Sequence, residues 1–205
     1  MQKKTHIYEV RCPLHGSIAF NERERRIIDH PYYQRLRSIS QLGFTSMVYP
    51  GATHTRFNHG LGAMHLAGRI VEQIFSSQEP GALGLTANQL AYCKQVVRFA
   101  GLMHDTGHPP FSHAFEPLLP LVSQLPLPTQ WYANLDHSRQ ATHEDYSIAM
   151  IHALATQENP LLSLAEAQDI SSLIHHEIQP SENLTTPSGV NVSIRNTSLP
   201  SVSSA

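Results

Sequence analysis

The chain has 205 residues, with 14 Lys and Arg against 16 Asp and Glu and a formal net charge of −2. This is length enough for one buried core, without an overall basic field to draw in nucleic acid. No apolar run approaches the roughly 20 residues that span a bilayer, and the opening MQKKTHIYEVRCPLHG lacks the apolar centre of a secretory signal, so a cytoplasmic protein without membrane contact is expected. Cys12 and Cys93 have no paired-thiol motif and read as reduced thiols, which leaves the 14 histidines as the compositional feature to explain.

In chain order, IYEVRCPLHGSIAF can form a hairpin around His15 and Gly16. Asp29 and Pro31 then open a basic, amphipathic helix through YYQRLRSISQLG that stops at Gly43. TRFNHGLGAMHLAGRIVEQIF reads as a helix with Leu66, Ile70 and Ile74 on one face, and Ala63 and Ala67 beside them, small residues that suggest close helix packing. Thr86 and Gln89 have capping-box spacing before LAYCKQVVRFAGLMHD, whose Leu90, Cys93, Val97, Ala100 and His104 make one stripe. Thr142 can cap HEDYSIAMIHAL, and Ser163 with Glu166 forms a second capping box ahead of IHHEI. The fold class is therefore all-α: a helical bundle of at least five helices over residues 1–180, with a short N-terminal β-hairpin or extended segment. After Pro180 the Ser/Thr-rich residues 181–205 read as a disordered or weakly ordered tail.

The chemistry concentrates in GLMHDTGHPPFSH, where an apolar helix meets Gly107 and two prolines. Adjacent His104 and Asp105 lie roughly 100° apart around a helix, so both reach one ion only near its end, which Gly107 supplies. His59 is a candidate third ligand, sharing a face with Arg56 at i, i+3. Two imidazoles and a carboxylate suit zinc, iron, manganese or nickel better than calcium, and the spacing leaves the choice open. One histidine on an apolar stripe is more often a hydrogen-bonded core residue than a ligand. His-Asp followed by Gly-His-Pro-Pro, with Arg-Phe-Asn-His upstream, favours the functional reading.

The series RLRSISQLG, YPGATHTRFNHGLG, HDTGHPPFSHAFE and THEDYS resembles the HD-domain phosphohydrolases, and within them the deoxynucleoside triphosphate triphosphohydrolase-like branch, over most of residues 7–179. The resemblance implies an HD-domain helical bundle and a divalent metal ion (manganese, iron, zinc, nickel or magnesium) on His59, His104 and Asp105. It places Arg56 at the substrate phosphates and His108 as a catalytic histidine, with a pKa near the working pH, oriented by Glu116. His113 and His143 become further active-site histidines, and Gln41 and Leu42 fall beside the deoxyribose. Glu116 departs from the aspartate usual in that branch. The implied reaction is attack of water on the α-phosphate of a nucleotide or related phosphoester, yielding deoxynucleoside and inorganic triphosphate. A homo-oligomer is also implied.

Asp29, Gln34 and Arg37 resemble an activating-nucleotide site, but a solvated helix face is the stronger reading. His175, His176 and Glu177 read as a polar helix end. The branch completes its metal site with an aspartate from a downstream segment resembling Asp-x-Asp-Lys-x-Asp-Tyr-x-x-Arg-Asp. This sequence has none, and Asp169 is its last aspartate. Two functions stay open: a metal-dependent phosphohydrolase whose turnover is slow without that ligand, or a non-catalytic HD module that binds metal or nucleotide as a regulatory or interaction domain. Asp145, Glu144, Asp169 and Glu177 are the candidate substitute ligands.

Overall fold

The computed structural model describes residues 7–76 and 85–184. Strands β1 (Tyr8–Cys12) and β2 (Gly16–Phe20) pair antiparallel, with Tyr8 opposite Phe20 and Cys12 opposite Gly16. Gly16 has φ 69°, a left-handed turn conformation that glycine adopts without steric cost. The remaining regular structure is helical: α1 (Glu22–Ile28), α2 (Pro31–Gln34), α3 (Arg56–Ser76), α4 (Ala87–Met103), α5 (His143–Thr156) and α6 (Leu164–Ile174), linked partly by 3₁₀ turns. None of the helices among the described residues is long and apolar enough to cross a membrane.

All three expected helix starts are present. The Thr86 N–H donates to Gln89 Oε1 at 2.8 Å, and the Ser163 N–H donates to Glu166 Oε2 at 3.0 Å. Thr142 donates its N–H to Asp145 Oδ2 at 2.8 Å, and Arg139 clamps both oxygens of the same carboxylate at 2.7 Å. The expected helix from Asp29 to Gly43 is instead broken. Asp29 caps the C-terminus of α1, His30 caps α2 by accepting from the Tyr32 N–H at 3.2 Å, and the chain loosens into a 3₁₀ turn over Arg35–Ser38. Tertiary demands outweigh helix propensity here. The Ile39 carbonyl accepts from the Arg56 N–H at 2.9 Å, Ser40 bridges Thr55, and Arg35 reaches across to the loop after α4.

The α3 helix packs on α4, and α6 packs on α4 and α5. A β-carbon at Gly60 would lie 2.9 Å from the Leu102 carbonyl oxygen, and one at Gly101 would lie 3.0 Å from Ala63. Small residues therefore set the approach of α3 to α4, as expected, but they also choose the face. Leu61, Met64, Gly68 and Val71 turn inward, whereas the apolar face of Leu66, Ile70 and Ile74 is exposed. The reason is Arg98 of α4, whose side chain lies where a β-carbon at Gly68 would stand, 2.6 Å from its Nη1. On α4, Cys93 and Ala100 are buried as expected. Val96, Phe99, Leu102 and Met103 supply most of the bulk, while Leu90 and Val97 are half-buried.

Arg98 runs past Gly68 to Glu24, which is only 1% exposed. Its Nε donates to Glu24 Oε1 at 2.6 Å, and its Nη2 donates to Glu24 Oε2 at 3.0 Å and to the Ala19 carbonyl at 3.0 Å. This pair joins the hairpin, α1 and α4. Residues 181–184, read as the start of the tail, are packed: Ser181 donates its N–H and Oγ–H to Asp169 at 2.6 and 2.8 Å, and Leu184 is buried. The tail from residue 185 onward lies outside the described residues. Arg98→Met is expected to destabilise the fold by about 3–5 kcal/mol in urea unfolding, because it strands a buried carboxylate. Pairing it with Glu24→Met should recover part of that loss. An Arg98→Met protein as stable as wild type would show that the pair does not bind these elements together.

Candidate active site

The start of α3 contributes Arg56 and His59, and the end of α4 contributes His104 and Asp105. The loop after α4 carries His108 and Ser112, a 3₁₀ turn (Ser112–Leu118) carries His113 and Glu116, and α5 begins at His143. Gly107 makes this convergence possible. A β-carbon there would stand 2.1 Å from the His143 carbonyl oxygen and 2.3 Å from the Ser147 nitrogen. Its N–H donates to Ser147 Oγ at 2.9 Å, and that hydroxyl donates to the His104 carbonyl at 2.7 Å. From the opposite side, Arg35 donates to the carbonyls of Thr106 at 2.6 Å and His108 at 2.7 Å. Sequence reasoning missed Arg35, Ser112 and Ser147. For Arg35 the signal was a cation set among the apolar residues Leu36, Ile39 and Leu42.

His59, His104 and Asp105 offer one donor atom each, all within 4.8 Å of one another. Nε2 of His59 lies 3.2 Å from Nε2 of His104, and these lie 3.7 and 3.3 Å from the two oxygens of Asp105. His104 Nδ1 is 2.9 Å from the Gly101 carbonyl, a bond that puts the proton on Nδ1 and leaves the Nε2 lone pair facing His59 and Asp105. Both imidazoles are partly exposed while the carboxylate is buried. This donor set fits a divalent ion with bonds of about 2 Å, whose ligands crowd together in this way. Burial pushes the Asp105 carboxyl upward, but His104, Arg56, His108 and His59 outweigh it and hold the group below the usual carboxylate range. Burial lowers the His59 pKa.

Arg56, the first residue of α3, is 2% exposed. Its Nη1 donates to Asp105 Oδ2 at 2.6 Å, and its Nη2 donates to Ser112 Oγ and, at 3.4 Å, to the Gln41 carbonyl. Its Nε and Gln41 Oε1 are buried without a protein partner. Leu42, next to Gln41, is exposed.

A second cluster, His108, His113, Glu116 and His143, adjoins the first. Glu116 departs from its expected place beside His108. One of its oxygens meets Nδ1 of His143 and the other meets Nδ1 of His113 at 3.2 Å. Burial raises the Glu116 pKa, but those two imidazoles draw it below the usual range. His108 instead stacks on His143, with centroids 3.8 Å apart, and its Nε2 lies 3.5 Å from Asp105 Oδ1. Burial, followed by His143 and Arg56, pushes the His108 pKa down to about 3 rather than near neutrality. It is a neutral imidazole at working pH.

Of the candidate substitute ligands, Asp145 is held by Arg139 and Thr142, and Asp169 by Ser181 and by the Tyr92 hydroxyl at 2.6 Å. Glu144 lines an open cavity of about 310 Å³ with His104, His143 and Leu173. The amide N–H of Glu177 donates to His175 Nδ1 at 3.3 Å in the turn after α6, as a polar helix end would have it. Arg37 donates to Gln34 Oε1 at 2.8 Å and covers the Phe57 ring, so both side chains have structural uses.

Residues 56–188 match the HD domain. Among curated proteins, a deoxynucleoside triphosphate triphosphohydrolase SAMHD1 homolog of Dictyostelium discoideum is 36% identical over 172 residues, 82% of this chain and 29% of that relative. The deoxynucleoside triphosphate triphosphohydrolase SAMHD1 of Bos taurus is 47% identical over 104 residues, 51% of this chain and 17% of that relative. An uncharacterized protein of Methanocaldococcus jannaschii is 42% identical over 107 residues, 52% of this chain and 20% of that relative. The chain thus spans less than a third of the length of each.

Gly107→Ala is expected to cost at least about 3 kcal/mol in thermal or urea unfolding, at the upper end of overpacking penalties, because its obstacles are backbone atoms. Ser147→Ala, which removes two hydrogen bonds without adding bulk, should cost about 1–3 kcal/mol. Wild-type melting of Gly107→Ala would mean that the loop does not rest on α5.

Proposed function

The chain belongs to the HD-domain family, and from that premise we propose that it is a metal-dependent phosphohydrolase that cleaves deoxynucleoside triphosphates to deoxynucleoside and inorganic triphosphate. The observation that carries this reading is the contact between two clusters: three metal donors backed by a buried arginine, and an imidazole–carboxylate group 3.5 Å from the shared Asp105. The substrate class follows the names of the triphosphohydrolase relatives and the resemblance of Gln41, Leu42, Arg56 and the HPPFSH segment to that branch.

A divalent ion on His59, His104 and Asp105 would supply Lewis acidity at a phosphate oxygen and a water acidified toward neutral pH. The Gly101 carbonyl fixes the His104 tautomer, and Arg56 fixes the Asp105 carboxylate. The Arg56 Nε, buried without a protein partner, is the donor left for a phosphate. His108, neutral at working pH, accepts a proton and does not deliver one. Glu116 fixes the His143 ring through Nδ1, so Nε2 is the atom that exchanges a proton with the substrate. As water oxygen bonds to the α-phosphorus, its proton passes to His108, the P–O5′ bond breaks and its electron pair goes to O5′. His143 Nε2, with Nδ1 held on the Glu116 carboxylate, gives that oxygen its proton. His113 braces Glu116 from its other oxygen.

The alternative, a module that binds metal or nucleotide without turnover, draws support from the engagement of Asp145 and Asp169 elsewhere, which leaves three protein donors in the metal cluster among the described residues. Separating the products by anion chromatography decides between the two. Inorganic triphosphate appearing with deoxynucleoside is expected, with kcat lowered about 10²- to 10⁴-fold in His143→Ala. Orthophosphate or pyrophosphate release would assign the chain a different phosphohydrolase chemistry, and no release at all would favour the binding module. Elemental analysis is expected to find divalent transition metal in the wild type and background levels in His104→Ala and Asp105→Ala. Equal metal in all three proteins would remove His104 and Asp105 from the ligand set.

A further inference from the structure

Beside the buried guanidinium of Arg56 stands an aromatic pair that the reaction above does not use. Phe44, in a 3₁₀ turn (Gly43–Met47), and Phe111, in the loop after α4, stack with centroids 5.1 Å apart and planes 15° from parallel. Each is 54% exposed. An exposed pair of large flat rings forgoes the burial that normally stabilises aromatic side chains, so it calls for an explanation.

The backbone beneath it is strained toward this arrangement. Phe111 has φ 65° and Ser112 has φ 60°, two consecutive left-handed conformations in residues that carry a β-carbon. Such conformations are costly and persist where the surroundings enforce them. Here the enforcement is visible. Ser112 is buried with Oγ on Arg56 Nη2, and its N–H donates to the Pro109 carbonyl at 3.2 Å, while Phe111 is turned outward. The partner turn is tied to the same guanidinium, because Arg56 Nη2 also reaches the Gln41 carbonyl, three residues before Phe44. One arginine thus locates both halves of the aromatic pair.

Resting on the nucleotide reading, we propose that the nucleobase of the substrate extends the Phe44–Phe111 stack on the outer face of one ring, with the other ring backing it, while its phosphates face Arg56. A ligand with an anionic end and a planar aromatic end matches this layout. Exposed Leu42 and Phe115 extend the apolar surroundings, and neither they nor the phenyl rings carry a hydrogen-bonding group. Stacking on plain phenyl rings tolerates every base, because every base has a π-face. The platform therefore selects for a base without choosing among purines and pyrimidines, so affinities for the four deoxynucleoside triphosphates should lie close together.

The test measures dissociation constants for deoxyguanosine triphosphate and for inorganic tripolyphosphate, using the whole metal-loaded chain on ice and identifying the bound species by chromatography. Phe111→Ala and Phe44→Ala are each expected to weaken the nucleotide about 5- to 100-fold, the range that base–aromatic stacking spans, and to leave tripolyphosphate unchanged. Phe111→Tyr should retain wild-type affinity. The platform is refuted by unchanged nucleotide affinity in both alanine variants, by equal weakening of both ligands, or by wild type binding tripolyphosphate as tightly as the nucleotide. In the last case the phosphohydrolase reading still stands. Sedimentation of the same proteins covers the other use of an apolar face: wild-type dimers that become monomers in the variants, with nucleotide affinity intact, would assign the pair to self-association and overturn the proposal. Failure of wild type to bind either ligand would bring down the nucleotide reading itself.

Discussion

The buried ion pair of Arg56 and Asp105 is the interaction on which the site depends. With side chains 2% and 6% exposed and 2.6 Å apart, neither group would be tolerable alone. Their pairing fixes the first residue of α3 against the residue that follows the α4 cap. Because α3 and α4 meet through Gly60, Gly101 and Ala63, the helices lie close enough for this contact to form. The pair also leaves Asp105 with contacts to spare, since its two oxygens face His59, His104 and His108 as well. Arg56 has a dual part: it makes a carboxylate affordable in the interior, and its Nε is a donor without a protein acceptor.

Around that pair the loop after α4 is held from two sides. Arg35 binds its carbonyls from α2 and the turn beyond, and Ser147 binds it from α5. This explains why the segment that carries Arg35 abandons α-helical geometry. A helix continued to Gly43 would deny Arg56 the Ile39 carbonyl that accepts its backbone N–H. Local regularity gives way to the pairing of buried backbone groups near the site.

What the sequence disclosed follows the range of the interaction concerned. The starts of α4, α5 and α6 were legible because a capping box is written within four residues, and the end of α4 was legible because Gly107 and two prolines cannot extend it. The grouping of His59, His104 and Asp105 was legible through helix geometry and the family resemblance. The inward face of α3 was not. Leu66, Ile70 and Ile74 form the stronger apolar stripe, and only the route of Arg98 past Gly68 to Glu24, a contact across 74 positions, reverses the choice. The burial of Arg56 and the partners of Glu116 were hidden for the same reason: each is decided by a contact between distant segments, and composition and periodicity carry no trace of it.

The two carboxylates divide the histidines into groups with different proton chemistry. Asp105 is pulled toward ionisation by Arg56 and by the imidazoles around it, and Glu116 by His143 and His113. His108 lies between, stacked on one group and 3.5 Å from the other, yet its Nδ1 is buried without a protein partner. Burial disfavours a cation there, and the neighbouring His143 and Arg56 work in the same direction. Negative charge placed beside Arg56 would favour the protonated form of His108, whereas His143 already has a carboxylate partner in Glu116.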